Sequence, residues 1–313
     1  MLTYILKRIG ATVPTLFVVS FVIFSLMALA GGDPARVLAG DQASLADLDA
    51  IRDQMGLNDP FILRYLHWLG GIMTGDLGTS ILTKLPVVTL IGQRLEATLS
   101  LTVCAMVLSV GIGLPLGIWG GLRPRGLVNK LVEGLAVFGF SVPVFVLAYL
   151  LIWGLSLKLH LLPVMGFTPI SEGLWPFLSK MFLPSLALTP VFAGWIARVS
   201  RDAVIDVLDQ DYIRTARSKG MSMSRLVARH VMRNAAVPIV TVVGMTFAAL
   251  VSGVVVTEAV FAIPGLGRLT VDAISQRDYP VIQGVVVLMS LIYILVNLLV
   301  DICYVVFDPR ITY

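Results

Sequence analysis

The side chains able to do chemistry are few and scattered in this 313-residue chain. His67, His160 and His230 lie on different segments, and no pair has the spacing of metal ligands. Cys104 and Cys303 sit in or beside apolar runs without a near partner, so they read as small buried hydrophobes. No nucleophile stands with a base, and G-x-x-x-x-G-K-[ST] occurs nowhere, so neither a hydrolytic site nor a phosphate loop is expected. What remains is one charged, well-punctuated stretch, DYIRTARSKG, from Asp211 to Gly220.

That stretch is written as a short helix over about residues 211–219. Asp209 and Asp211 stand at its front, where the helix dipole favours anions. Arg217 and Lys219 stand at its back, where it favours cations. Gly220 suits the left-handed residue that closes a helix. Ser224 is placed to cap a following helix carrying Arg225, Arg229 and Arg233. A nine-residue helix isolated by caps is marginal alone and needs something to pack on. Its apolar stripe is Tyr212, Ile213 and Ala216, flanked by Arg214, Thr215 and Ser218. Two readings follow: a surface helix on its own protein or on lipid headgroups, or a helix docked in a partner's groove.

The surroundings of the stretch are apolar. The chain is 57% hydrophobic and 13% charged, with a mean hydropathy of +0.91, against about 25% charged in ordinary soluble domains. This is the composition of an integral membrane protein. The net charge of +4 is too small to signal nucleic acid. Six charge-free runs near the ~20 residues needed to span the bilayer lie at Ile9–Gly32, Thr98–Leu122, Gly134–Leu157, Met181–Ala197, Asn234–Thr257 and Val281–Val300. The first is too long for a signal peptide and has no cleavage site. With the N-terminus in the cytoplasm, the inner segments carry 14 Lys/Arg against 7 acids and the outer ones 9 against 12. The positive-inside rule therefore puts both termini in the cytoplasm.

The expected fold is all-α, with six transmembrane helices and a helical extracytoplasmic insertion between the first two. The chain divides into residues 1–97, the first span with its outer loop, and 98–313, a five-span core. Within the loop, Ser44 and Asp47 start a helix near 45–55 that Gly56 closes. Asn58-Asp59-Pro60 starts another near 60–73, ended by Gly70-Gly71 and GDLGTS. The loop is either packed on the membrane surface or a lid at a pore mouth. Gly113, Gly117 and Gly121 share one face of the second span, for close helix packing within the chain or between subunits. Pro143, Pro184 and Pro190 predict kinks in the third and fourth spans. None of the six runs contains Asp, Glu, Lys, Arg or His, which disfavours a proton- or sodium-coupled carrier.

DYIRTARSKG, with RHVMRNAAVP (Arg229 to Pro238), resembles the coupling loop of binding-protein-dependent ABC transporter permeases. The general signature is Glu-Ala-Ala, three residues, then Gly. Here it is Arg214-Thr215-Ala216 and Gly220, as in the peptide-permease branch. GGDPA (Gly31 to Ala35), MGLNDPFILRYLHWL (Met55 to Leu69), GDLGTS, TEAVFAIPGLGRL (Thr257 to Leu269) and NLLVDICYVVFDPRITY (Asn297 to Tyr313) extend the resemblance along most of the chain. The class it resembles is that for dipeptides, oligopeptides and nickel.

The resemblance implies a multi-pass permease of the bacterial inner membrane. It implies a second homologous permease subunit, two cytoplasmic ABC ATPase subunits and an extracytoplasmic solute-binding protein as partners. No cofactor is expected on this chain, since ATP and Mg bind the ATPases, and the chain is not expected to be an enzyme. Asp211, Tyr212, Ile213, Arg214, Thr215, Ala216, Arg217, Ser218, Lys219 and Gly220 become the ATPase-coupling helix. Ser141, Thr246, Ser252, Thr257 and Asn297, polar members of apolar spans, are the candidates for lining the pathway. The implied solute is a di- or oligopeptide, with nickel, glutathione or another small solute as the alternative.

Overall fold

The computed structural model describes residues 2–29, 34–39, 44–54 and 56–307. Gly31 to Asp33 of the GGDPA motif, Met55 and the terminal DPRITY lie outside the described residues. Helices α1 (Leu2–Leu29), α2 (Pro34–Ala39), α3 (Leu45–Gln54) and α4 (Phe61–Met73) precede the core. The core is α5 (Val87–Leu122), α6 (Leu127–Ser141), α7 (Val144–Leu151, continued by a π-helical turn to Lys158) and α8 (Leu174–Leu208). It continues with α9 (Asp211–Ser218), α10 (Met223–Leu226, joined by a π-turn to the next), α11 (Met232–Gly253), α12 (Val255–Val260), α13 (Leu266–Ser275) and α14 (Tyr279–Phe307).

Five of the described helical segments are long and apolar enough to cross a membrane: Gly10–Leu29, Val87–Leu122, Leu174–Leu208, Met223–Gly253 and Tyr279–Cys303. The sixth expected span differs. α6 and α7 meet at 99°, so they form one crossing only as a broken pair. The cause is local. Proline disfavours the helical conformation in the residue before it, and Val142 is extended (φ −96°, ψ 118°) ahead of Pro143. α8, in contrast, runs unbroken through Pro184 and Pro190. α5 and α8 also reach beyond the charge-free runs that located them, because a helix does not stop where its side chains become polar.

In the segment between α1 and α5, Ser44 and Asp47 form a reciprocal cap. The Ser44 hydroxyl and backbone N–H donate to the Asp47 carboxylate (2.6 and 3.2 Å), and the Asp47 N–H donates to Ser44 Oγ (3.2 Å). Those bonds hold the exposed Asp47 carboxyl below its ordinary range. Gly56 is left-handed at φ +63°, as a closing glycine should be. α4 departs from the expectation in two ways. It runs through Gly70-Gly71 to Met73, ending at Thr74 and the left-handed Gly75. It also lies along the side of α1, with Tyr65 among Phe17, Phe21 and Phe24 and its hydroxyl 2.9 Å from Ser20 Oγ. Those α1 residues belong to a spanning run, and Ile62, Leu66 and Met73 stay exposed on α4. That surface suits hydrocarbon better than water.

The core is organised on α5 and α8. A Cβ added at Gly113 would lie 2.6 Å from the Ala193 carbonyl oxygen. At Gly117 it would overlap Ala197, and at Gly121 it would press on Val204. The glycine stripe is thus an intrachain seam, and only a residue without Cβ fits it. α6 docks on the other side of α8 in the same way, with Gly139 on Pro190 and Gly194 on Ala136. Enlarging Gly117 to Leu should force α5 and α8 apart, costing about 1–3 kcal/mol. Gly111→Ala on the same helix meets no atom within 4 Å and should be neutral. Thermal melting in detergent of the two variants checks this: only Gly117→Leu should melt earlier.

Candidate functional site

At one end of the bundle, α9 is a discrete body. The N–H of Gly220 (φ +81°) bonds the Arg217 carbonyl at 2.9 Å, and that of Met221 bonds Ala216 at 3.3 Å. This pair of bonds is the Schellman closure. Gln210 is extended at the front, so α9 is separated from α8 by Asp209 and Gln210. The following helix is capped at Ser222 rather than at the expected Ser224, and no side-chain bond is made there.

The apolar stripe is largely spent inside the chain. Ile213 is fully buried with Ala203 and Val204 of α8, Leu226 of α10, Val231 of the π-turn and Ala235 and Ile239 of α11. Ala216 is half-buried against the same cluster. Tyr212 is 44% exposed at the edge, 6.5 Å between ring centres from His230. The stripe therefore seats α9 on its own protein instead of lying open. The face left outward is Asp211, Arg214, Thr215, Arg217, Ser218 and Lys219. Arg214 makes only a loose 3.5 Å pair with Asp211, both strongly exposed, which contributes little.

The opposite end holds two buried carboxylates that the sequence reading missed. Glu258 of α12 is fully buried. Thr98 of α5 donates to its Oε1 at 2.6 Å and accepts the Leu266 N–H at 2.8 Å. The Arg268 N–H donates to Oε2 at 3.0 Å. Glu258 thus caps the N-terminus of α13 from another helix, accepting from N–H groups that the start of a helix leaves without partners. A Cβ at Gly265 would collide with its carboxyl, which explains the glycine in PGLG. Asp278, just before α14, is the second. It accepts from Ser80 Oγ at 2.5 Å and from the Ile81 N–H at 3.1 Å, tying GDLGTS to the bundle. The sequence signals were an acid one residue past an apolar run, followed by P-G-x-G, and an Asp two residues before a proline.

The pathway candidates are not gathered into one surface. Thr246 and Thr257 are buried within the chain, their hydroxyls without a hydrogen-bond partner. Ser141 at the α6–α7 break and Ser252 near the end of α11 are exposed, and Asn297 of α14 is half-buried.

Residues 113–313 match the family described as the inner membrane component of binding-protein-dependent transport systems, and residues 1–102 match its N-terminal region. A probable peptide ABC transporter permease of Sinorhizobium fredii is 44% identical over 99% of both chains. The glutathione transport system permease GsiC of Escherichia coli is 40% identical over the full length of both. Among solved structures, an inward-facing MetNI methionine ABC transporter chain superposes with a TM-score of 0.57 at 20% identity, covering 70% of this chain and 96% of that one.

The two sites yield separate expectations. Ile213→Ala should remove about 2–5 kcal/mol of packing and raise amide hydrogen exchange across 211–220, while Tyr212→Ala leaves it near the parent level. Thr98→Val and Glu258→Gln should be non-additive in unfolding free energy, coupled by about 0.5–3 kcal/mol. Simple additivity in a double-mutant cycle would show that the bond does not stabilise the fold.

Proposed function

Because this chain belongs to the inner-membrane components of binding-protein-dependent transport systems, we propose that it forms half of the translocation pathway for short peptides, glutathione counted among them. It is a multi-pass inner-membrane permease subunit of an ABC importer, and in this family ATP is bound and hydrolysed by partner subunits. Support for a peptide solute comes from two full-length relatives, one named for peptides and one for glutathione, itself a small peptide. The remaining assembly in this reading is a second homologous permease, two cytoplasmic ATPases and an external solute-binding protein. α9 faces the cytoplasm and the segment between α1 and α5 faces outward. Residues 1–97 form one unit and 98–313 the permease core.

The observation that carries the coupling role is the seat of α9. A helix closed by Gly220 and held by Ile213 moves with α8 and α11 as one body. An ATPase pressing on its outward face, Arg214, Thr215 and Ser218, would drive those spans directly, the rigid-body form of switching. Tyr212 remains available at the edge of the contact, and Asp211, Arg217, Lys219 and Gly220 complete the element. Ser141 and Ser252, which are exposed, and the half-buried Asn297 are the retained candidates for the pathway wall.

The test places bulk on the outward face without touching the seat. Thr215→Trp should insert and melt like the parent, yet lose co-purifying ATPase subunits and uptake of labelled dipeptide or glutathione into cells carrying the whole system. Full uptake by this variant would remove α9 from the coupling path. Uptake of neither solute by the parent system would leave the permease assignment standing and overturn the peptide reading.

A further inference from the structure

One seam, formed by α1, α4 and α14, joins two cavities of opposite character. Near the start of α14 lies a cavity of about 700 Å³ with Arg52, Asp59, Arg64 and His67 in its wall. Further along the same helices lies an apolar slot of about 300 Å³, walled by Phe17, Leu69, Met73, Val287 and Leu291 among others. The order along each helix is consistent. Tyr279 and Gln283 of α14 line the first cavity, and Val287 and Leu291, two turns on, line the slot. On α1, which runs the other way, Phe24 and Met27 line the first and Val13 to Ser20 the second.

We infer that this seam is a binding site for one glycerophospholipid, its phosphate in the basic cavity and one acyl chain in the slot. The polar part has Arg52, Arg64 and Asp59 in its wall, and Arg64 is the cation it offers to a phosphodiester. Arg52 already pairs with Asp49 at 2.8 Å. Arg64 pairs with no carboxylate among the described residues. Its guanidinium lies 5.9 Å from the Phe24 ring centre and reaches only the Leu57 carbonyl, at 3.5 Å. A guanidinium held on an aromatic face keeps its fork for phosphate.

The slot is built for hydrocarbon. Its two hydroxyls are already satisfied: Ser20 by the Phe17 carbonyl (2.8 Å) and the Tyr65 hydroxyl, Ser290 by the Val286 carbonyl (2.8 Å). No polar group is left to hold water, and an empty slot of this size forfeits packing along its whole wall. From Tyr279 to Leu291 the helix advances about 18 Å, close to half the ~30 Å hydrocarbon thickness. That length covers the basic cavity and the slot together, and a phosphate position with an apolar slot beneath it describes a lipid rather than a soluble anion.

The test uses the assembled transporter in vesicles of phosphatidylglycerol and phosphatidylethanolamine doped with phosphatidylglycerol carrying a photoactivatable group on its acyl chain. Crosslinked peptides should concentrate in Leu69–Met73 and Val287–Leu291. Arg64→Gln should lower that yield at least several-fold, as should Leu291→Trp, which fills the slot and leaves the basic cavity intact. Arg125→Gln, in the α5–α6 turn remote from the seam, should not change it. Even labelling of the other exposed apolar residues, such as Trp153 and Leu131, with the same yield in all variants would overturn the site. So would labelling seen with the isolated chain but lost in the assembled transporter, which would assign the seam to a protein partner. Loss of labelling in millimolar inorganic phosphate would instead assign the basic cavity to a soluble anion.

Discussion

The close approach of α5 and α8 is the constraint on which the other contacts depend. Gly113, Gly117 and Gly121 let α5 lie against Ala193, Ala197, Ser200 and Val204 with no side chain between the backbones. Helices in lipid gain nothing from hiding apolar surface from a solvent that is itself apolar, so contact area at short range is what holds them. Much of the core is placed relative to this pair. α6 docks on α8 through Gly139 and Gly194, and α13 is capped by Glu258, whose partner Thr98 lies on α5. Val204, on which Gly121 rests, also belongs to the cluster that buries Ile213.

The seam therefore connects two distant features by continuous packing. From Gly121 to Thr98, α5 covers about 35 Å as one helix. One end of that path is the seat of α9 and the other is the buried carboxylate that sets α12 against α13. A path of packed side chains is not by itself a demonstration of coupling. It does fix which pieces are stiff relative to each other. α9, α8 and α5 share one boundary, whereas α6 and α7 are divided by the extended Val142. A displacement applied at α9 would meet one continuous helix, α5, beside a pair divided at Val142.

Much of this was legible in the residues. The extent of α9 followed from acids in front, bases behind and Gly220, because capping and dipole effects act within a turn and are written locally. The outer helices followed from Ser44, Asp47 and Gly56 for the same reason. What was not legible is long-range. The stripe of Tyr212, Ile213 and Ala216 marked a face needing a partner, and periodicity names a face without naming what covers it. The cover turned out to be Val204, Leu226 and Val231 of the same chain. Glu258 fell one residue outside an apolar run, and its ligand Thr98 is 160 residues away. Hydropathy measures length and polarity but not direction, so it could not see the turn of 99° at Pro143.

The seat of α9 has a further consequence for how a partner would hold it. The attachment of α9 to its own chain is apolar and buried, and so insensitive to salt. The outward face is the reverse: exposed, mostly basic and without a strong internal ion pair. Exposed charges are screened over about 8–10 Å at physiological ionic strength, and pairs between them are weak. An acidic groove on a partner would thus orient α9 and speed its capture, while contact with the half-exposed Tyr212 and the small Thr215 and Ser218 would resist being pulled apart. Strong bonding inside the chain and weak bonding across the joint is the arrangement a moving contact requires. Were a partner docked there to shift, α9 would stay with its spans, and the joint, not the fold, would absorb the rearrangement.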